Sequence, residues 1–126
     1  MSVILIVEDN EKNMKLVRDV LQFKGYQTLE AATAKEGLKL AREERPDLVL
    51  MDIQLPDMDG IAALAHLRAD GLTQSIPVLA VSASVMPDDQ QRIVASGFDA
   101  YITKPISVKS FIETVERFIG KAQGEQ

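Results

Sequence analysis

The sequence predicts one α/β domain in which a parallel β-sheet is covered by helices on both faces. Two patterns alternate along its 126 residues. Short apolar runs are typical of buried strands, and longer segments with apolar residues every three or four positions are typical of amphipathic helices. About five strand–helix pairs follow one another, each short enough for a right-handed crossover. Conspicuous polar residues follow the strands, where open parallel sheets place their functional sites.

Five segments have the pattern of strands. Residues 3–7 and 48–51 are continuous apolar runs, which indicates strands that are buried on both faces of a sheet. Residues 26–31 alternate in polarity, so this strand is expected nearer an edge. The two remaining strands are predicted at residues 76–81 and 100–103.

Five helices are predicted between and after these strands. Asn10 and Thr33 stand where they would cap the first and second helices, and Glu36 follows Thr33 at the spacing of a capping box. Gly25 is typical of the end of a helix, and Ser107 precedes the last one. The predicted helices cover about residues 11–24, 34–44, 61–68, 86–96 and 108–119.

Composition limits the possible functions. The formal net charge is -5, with 19 acidic and 14 basic residues. This balance argues against nucleic-acid binding, which needs clustered basic residues at phosphates. The absence of cysteine excludes disulfides and thiolate metal sites. No apolar stretch approaches the roughly 20 residues of a membrane span, and the amino terminus lacks the features of a signal peptide. A cytoplasmic protein without membrane contact is therefore expected.

Five polar residues fall at the carboxyl ends of four predicted strands. Glu8 and Asp9 follow the first strand, Asp52 the third, Ser82 the fourth and Lys104 the fifth. Each one alone has an ordinary explanation as a loop acid, a helix cap or a surface lysine. Together they favour one shared crevice. Three carboxylates so close together repel one another unless a cation joins them or their pKa values rise, and Mg²⁺ suits oxygen ligands. The sequence therefore predicts a magnesium site.

Four motifs resemble, in order, those of the receiver domains of bacterial two-component response regulators. They are VEDN at 7–10, MDIQLPDMDG at 51–60, VSAS at 81–84 and YITKPI at 101–106. The resemblance covers residues 1–120 and leaves residues 121–126 as a polar tail. VEDNEKNMKL with KPISV resembles, more narrowly, the single-domain DivK-type regulators of the bacterial cell cycle, although related sequences also occur as receiver modules of hybrid kinases. The resemblance implies a flavodoxin-like sheet with strand order 2-1-3-4-5.

The resemblance also implies a role for each residue of the site. Asp52 is expected to accept a phosphoryl group from a histidine kinase or a histidine phosphotransfer protein. Asp9, Asp52 and the backbone carbonyl of Gln54 are expected to bind Mg²⁺ directly, and Glu8 mainly through water. Lys104 is expected to contact the phosphoryl oxygens.

A conformational switch is implied as well. The Ser82 hydroxyl is expected to move onto the phosphoryl group, and Tyr101 to turn inward with it. Many members of the family have threonine where Ser82 stands. A downstream protein is expected to bind the face formed by the fourth helix, the fifth strand and the fifth helix, because no output domain follows the last helix. The bond before Pro105 is expected to be cis.

Two other functions are weighed against this one. Phosphohydrolases with an aspartate nucleophile usually have a second aspartate two positions later, where this chain has Gln54. A nucleotide-binding protein is expected to have glycines in the first strand–helix loop, whereas residues 8–11 have none and are acidic. A signalling domain that catalyses only its own phosphotransfer and dephosphorylation is therefore expected. His66 is interpreted as a surface residue, and Asp57 and Asp59 as loop caps.

Overall fold

The computed structural model describes residues 2–83 and 86–120, within which five strands alternate with five helices. The strands are β1 (Val3–Val7), β2 (Gln27–Ala31), β3 (Leu48–Asp52), β4 (Val78–Ser82) and β5 (Ala100–Thr103). The helices are α1 (Glu11–Phe23), α2 (Ala34–Glu44), α3 (Gly60–Ala69), α4 (Pro87–Ala95) and α5 (Val108–Ile119). The predicted polar tail, residues 121–126, lies outside the described residues.

All strand pairs are parallel, and their order is β2-β1-β3-β4-β5. The predicted fold class and strand order are therefore confirmed, including the edge position of β2. The register aligns the carboxyl ends of the central strands, because Val7 is level with Met51, and Asp52 with Val81. Residues that follow these strands consequently emerge at one edge of the sheet.

The sheet separates two apolar cores. Alternate residues of β1 point to opposite faces, so that Ile4 and Ile6 pack with α1 and α5, whereas Leu5 and Val7 pack with α2, α3 and α4. Met14, Val17 and Leu21 of α1, at three- and four-residue spacing, face the first core. Burial on both faces explains why β1 and β3 read as continuous apolar runs.

Local signals account for most element boundaries. The side chains of Asn10 and Thr33 accept hydrogen bonds from the backbone amides of Asn13 and Glu36, respectively, as predicted for helix caps. Ser107 occupies the capping position of α5, but its side chain makes no capping hydrogen bond. Strand β4 begins two residues later than predicted, at Val78, because the preceding proline has no backbone N–H for the ladder.

Within the described part of the chain, no helix has both the length and the apolar character needed to cross a lipid bilayer.

Candidate functional site

Three carboxylates converge at the carboxyl ends of β1 and β3. One oxygen each from Glu8, Asp9 and Asp52 lies within 4.8 Å of the others. Glu8 and Asp52 are buried, with 6% and 4% of their surface exposed, whereas Asp9 is exposed. Sequence and structure therefore agree on this cluster, and all of its oxygens are of the kind that a hard divalent cation binds.

Asp52 is held at both carboxylate oxygens. Its backbone ends the fully buried strand β3. Its Oδ1 accepts a hydrogen bond from the backbone amide of Gln54 at 3.0 Å, and its Oδ2 accepts one from Lys104 Nζ at 2.9 Å. These bonds fix the direction of the carboxylate before any ligand binds.

Lys104 brings positive charge to the cluster from the end of β5. Its Nζ lies 2.9 Å from Asp52 Oδ2 and 3.0 Å from Glu8 Oε1. The preceding strand is fixed near the site, because the backbone amide of Lys104 donates to the Ser82 carbonyl at 2.9 Å. Burial disfavours the ammonium, but its hydrogen bonds to Asp52 and Glu8 outweigh burial and raise the pKa of Lys104. The peptide bond between Lys104 and Pro105 is cis, as predicted.

Glu8 is a buried carboxylate whose surroundings favour its protonated form. Burial, followed by its hydrogen-bonded contact with Asp52, raises the pKa of Glu8 from 4.5 to about 7. The short contact with Lys104 and the amide of Asn10 act in the opposite direction. The cluster therefore has an excess of negative charge that a divalent cation would neutralise.

The loop between β3 and α3 approaches the site so closely that position 60 has to be glycine. A Cβ atom there would lie 2.6 Å from the Asp52 carbonyl oxygen and 2.8 Å from Ile53 Cα. The Gly60 amide also donates to the Ile53 carbonyl at 2.8 Å, and Gln54 forms an isolated bridge with Asp59. No sequence pattern indicates this requirement, since the packing distance is a property of the tertiary structure.

Asp57 and Asp59 both cap helices, but only Asp59 caps α3, the helix that follows their loop. Asp59 Oδ1 accepts from the Ile61 amide at 2.7 Å at the start of α3. Asp57 instead accepts from the amides of Ala34 and Lys35, at 2.8 and 2.9 Å, and so caps α2. These two amide hydrogen bonds lower the pKa of Asp57. No local sequence pattern indicates this contact, because the partners are more than twenty residues apart.

Ser82 and Tyr101 lie on the neighbouring strands β4 and β5. Ser82 is buried at the end of β4, level with Thr103, and Tyr101 is level with Ala80. The Tyr101 ring is half-buried against the core on the side of α2, α3 and α4. Because alternate residues share a face, Ser82 points to the same side as Ala80 and hence as Tyr101.

Two further predictions concern His66 and the VSAS motif at residues 81–84. His66 is exposed on α3 and takes no part in the carboxylate cluster, in agreement with its interpretation as a surface residue. Of the VSAS motif, Ser82 and its neighbour at 83 are described, whereas position 84 lies outside the described residues.

Comparison with known families gives one match over most of the chain. Residues 4–116 match the model of the response regulator receiver domain. The polar-differentiation response regulator DivK of Brucella anthropi is 50% identical over 119 residues, which are 94% of this chain and 97% of that protein. DivK of Brucella ovis matches to the same extent.

Solved receiver structures have the same fold. The receiver domain of a sensor histidine kinase from Pseudomonas aeruginosa, with a magnesium ion coordinated in its active-site cleft, superposes with a TM-score of 0.87 at 29% identity, over 95% of this chain and 98% of that one. A CheY-like response regulator receiver domain protein from Methanospirillum hungatei gives 0.84 at 32% identity, over 93% and 92% of the two chains.

Proposed function

This chain belongs to the response regulator receiver domain family, and from that premise we propose that Asp52 is its phosphoacceptor. Phosphorylation of Asp52 would let the chain act as a DivK-type signalling protein. The observation that carries the proposal is the buried Asp52 carboxylate, which is hydrogen-bonded to Lys104 and lies beside Glu8 and Asp9. Similarity to DivK over 97% of the DivK chain favours this role over that of a receiver module in a hybrid kinase.

The proposed donor is a phosphohistidine on a histidine kinase or histidine phosphotransfer protein. A carboxylate oxygen of Asp52 forms a bond to phosphorus while the bond between phosphorus and the imidazole nitrogen breaks, and the nitrogen keeps that electron pair. The product is an acyl phosphate on Asp52. Lys104, whose ammonium already lies 2.9 Å from Asp52 Oδ2, would stabilise the charge on the phosphoryl oxygens.

The cation that we propose for the carboxylate cluster is Mg²⁺. Asp9, Asp52 and the backbone carbonyl of Gln54 would bind it directly, and Glu8 would bind one of its waters. When bound, the ion supplies positive charge that offsets the charge of the transferring phosphoryl group. An all-oxygen donor set fits this ion, and the magnesium in the Pseudomonas aeruginosa receiver supports the proposal.

We propose that phosphorylation changes the binding of a protein partner through movements of Ser82 and Tyr101. In this scheme the Ser82 hydroxyl turns to the phosphoryl oxygens, and the Tyr101 ring moves inward. The face formed by α4, β5 and α5 would then bind the partner. Each of its two helices has an exposed valine, Val94 on α4 and Val108 on α5, which a partner could cover.

A phosphohydrolase remains the weaker candidate. At the position two residues after Asp52, where such enzymes usually carry their acid, this chain has Gln54, whose amide side chain supplies no proton for a leaving group. We propose instead a domain that catalyses only its own phosphotransfer and dephosphorylation. A cytoplasmic location belongs to the same proposal, because the donor kinase needs ATP.

The proposal is tested by phosphotransfer from a purified phosphohistidine protein of the source organism, and from acetyl phosphate, with and without Mg²⁺. One phosphoryl group is expected per chain in the presence of Mg²⁺, released by alkali as acyl phosphates are. The matched control is Asp52→Asn, which should take up none. Equal labelling of Asp52→Asn, or an alkali-stable product, would refute the assignment of Asp52.

A further inference from the structure

The amino terminus of α2 is capped from two directions. Its own cap, Thr33, accepts from the Glu36 amide at 3.1 Å. The two preceding amides, of Ala34 and Lys35, donate instead to the two carboxylate oxygens of Asp57, at 2.8 and 2.9 Å. Helix capping of this kind satisfies amides that have no partner within the helix, and negative charge is favourable at this end.

Asp57 belongs to the loop that leaves the site. This loop runs from Asp52 at the end of β3 to Gly60 at the start of α3. At its α3 end it is held by the hydrogen bond from Gly60 to the Ile53 carbonyl and by the bridge between Gln54 and Asp59. Asp57 adds an anchor to a different element, α2, which packs against β1 and β2 as well as α3.

We propose that Asp57 is a positioning residue for the metal-binding loop. By tying the loop to the amino terminus of α2, it would hold the backbone carbonyl of Gln54 in the orientation that Mg²⁺ requires. This inference rests on the proposed function, because it assigns Asp57 a role only if the carboxylate cluster binds the ion. Asp57 itself stays away from the ion, since both of its oxygens are engaged by α2.

The geometry distinguishes this role from that of an ordinary helix cap. Thr33 and Asp57 both satisfy amides of the same first turn of α2, but Thr33 is a neighbour of that turn in sequence, whereas Asp57 lies in the loop after Asp52. Loss of either cap should loosen α2. Only loss of Asp57 should also release the loop. Residues that orient the ligands of a metal typically contribute roughly 10- to 100-fold to its affinity.

The experiment compares Asp57→Ala with Thr33→Ala, its matched control, in the full chain. Magnesium affinity is measured by calorimetric titration, and exchange of the loop amides, including those of Gln54 and Gly60, by NMR. For Asp57→Ala we expect an affinity for Mg²⁺ about tenfold lower and faster exchange at both amides. Phosphorylation by acetyl phosphate should need more Mg²⁺ but recover at saturation. For Thr33→Ala we expect wild-type affinity and wild-type loop exchange.

Asp57→Asn keeps one acceptor oxygen and should give an intermediate affinity for Mg²⁺; it also serves if Asp57→Ala does not fold. Equal losses of affinity in the Asp57 and Thr33 variants would reduce Asp57 to a helix cap and overturn the inference, as would wild-type affinity in the Asp57 variants. A different result would refute the proposed function but not the role of Asp57. In that case the wild type would take up no phosphoryl group, yet it would bind Mg²⁺ with an affinity that depends on Asp57. A wild type that binds no Mg²⁺ would overturn both.

Discussion

Lys104 is the residue on which the charge balance of the site depends. It is hydrogen-bonded to Asp52, makes an ion pair with Glu8, and only 18% of its side chain is exposed. Removal of one partner from such a buried arrangement leaves uncompensated charge, which costs more than loss of a surface ion pair. The three carboxylates are thus tolerated in the folded protein because a lysine from another strand reaches them.

Lys104→Met should therefore destabilise the metal-free protein. We expect the free energy of unfolding to fall by about 2 kcal/mol at pH 8, less than for a fully buried pair because Glu8 can take up a proton. Saturating Mg²⁺ should remove much of this difference, since it supplies positive charge to the same oxygens. Urea unfolding of both proteins in EDTA and in Mg²⁺ provides the measurement, and a loss of stability that Mg²⁺ leaves unchanged would contradict this explanation.

Glu8 predicts a pH dependence of opposite sign to that of most carboxylates. The pKa of Glu8 is about 7 in the folded protein, whereas the ordinary value of 4.5 applies in the unfolded chain. Between these values the folded state holds a proton that the unfolded state lacks. The contribution of Glu8 to stability is therefore complete below pH 4.5 and is lost as the pH rises through about 7.

Glu8→Gln removes this titration while keeping the shape of the side chain. In EDTA, the wild type should lose about 3 kcal/mol of stability relative to Glu8→Gln between pH 4.5 and pH 8. The difference between the two unfolding free energies, measured at several pH values, isolates the contribution of Glu8. A difference that is constant with pH would show that the pKa of Glu8 is not raised.

At the scale of elements, hydropathy patterns were sufficient to predict every strand and helix of the described chain in order. The reason is that burial on both faces gives β1 and β3 continuous apolar runs, and helices facing one core have a periodic stripe. Contacts between elements distant in sequence were not predictable. Asp57 was interpreted as a loop cap, and the element that it caps, α2, could not be named from the sequence. Ser107 has the position of a cap without the hydrogen bond.

For the site too, some features were predictable from the sequence and others were not. That Glu8, Asp9, Asp52 and Lys104 would meet follows from strand ends in a parallel sheet, and the carboxylate cluster and the lysine contacts confirm it. The roles given to these residues, and to Ser82, Tyr101 and Gln54, stay predictions. The steric requirement at Gly60 was not predictable, because the sequence contains no measure of how close β3 would be.

Gly60→Ala tests this close approach of the loop between β3 and α3. The added methyl group would meet backbone atoms of Asp52 and Ile53 at 2.6 and 2.8 Å, so the loop has to shift. We expect a loss of about 1–3 kcal/mol in the free energy of unfolding, together with weaker binding of Mg²⁺. Gly71→Ala is the matched control, because nothing lies within 4 Å of a Cβ atom there. Equal stability of the two variants would contradict the steric argument.

At the scale of the whole molecule, the sheet separates the carboxylates from the aromatic ring of the proposed switch. By strand alternation, Glu8, Asp52 and Lys104 follow the residues that face α1 and α5, whereas Tyr101 packs on the side of α2, α3 and α4. Ser82, at the end of β4, points to the same side as Tyr101, and its neighbour Val81 is level with Asp52 on the adjacent strand. In the proposed scheme, Ser82 would therefore carry a change of charge at Asp52 to the side on which Tyr101 packs.

Ser82→Ala should separate phosphorylation from output. The variant is expected to accept a phosphoryl group at Asp52 but to lose most of the phosphorylation-dependent gain in partner affinity. The reason is that a ligand shifts a two-state equilibrium only by its differential interaction with the two states. Partner affinity is measured with and without beryllofluoride, and Ser82→Thr, which keeps the hydroxyl, should retain the gain. A full response in Ser82→Ala would rule out this route.

The identity of the phosphoacceptor is tested most directly by chemical trapping in the wild-type protein. Borohydride reduces an aspartyl phosphate to homoserine, so that reduction after treatment with acetyl phosphate and Mg²⁺ marks the modified residue permanently. Four aspartates, Asp47, Asp52, Asp57 and Asp59, lie close together in sequence, and fragmentation of the tryptic peptide that contains them distinguishes one from another. Homoserine at position 52 alone, dependent on Mg²⁺, is the predicted result; homoserine at another position, or its absence from a protein that has taken up phosphate, would contradict it.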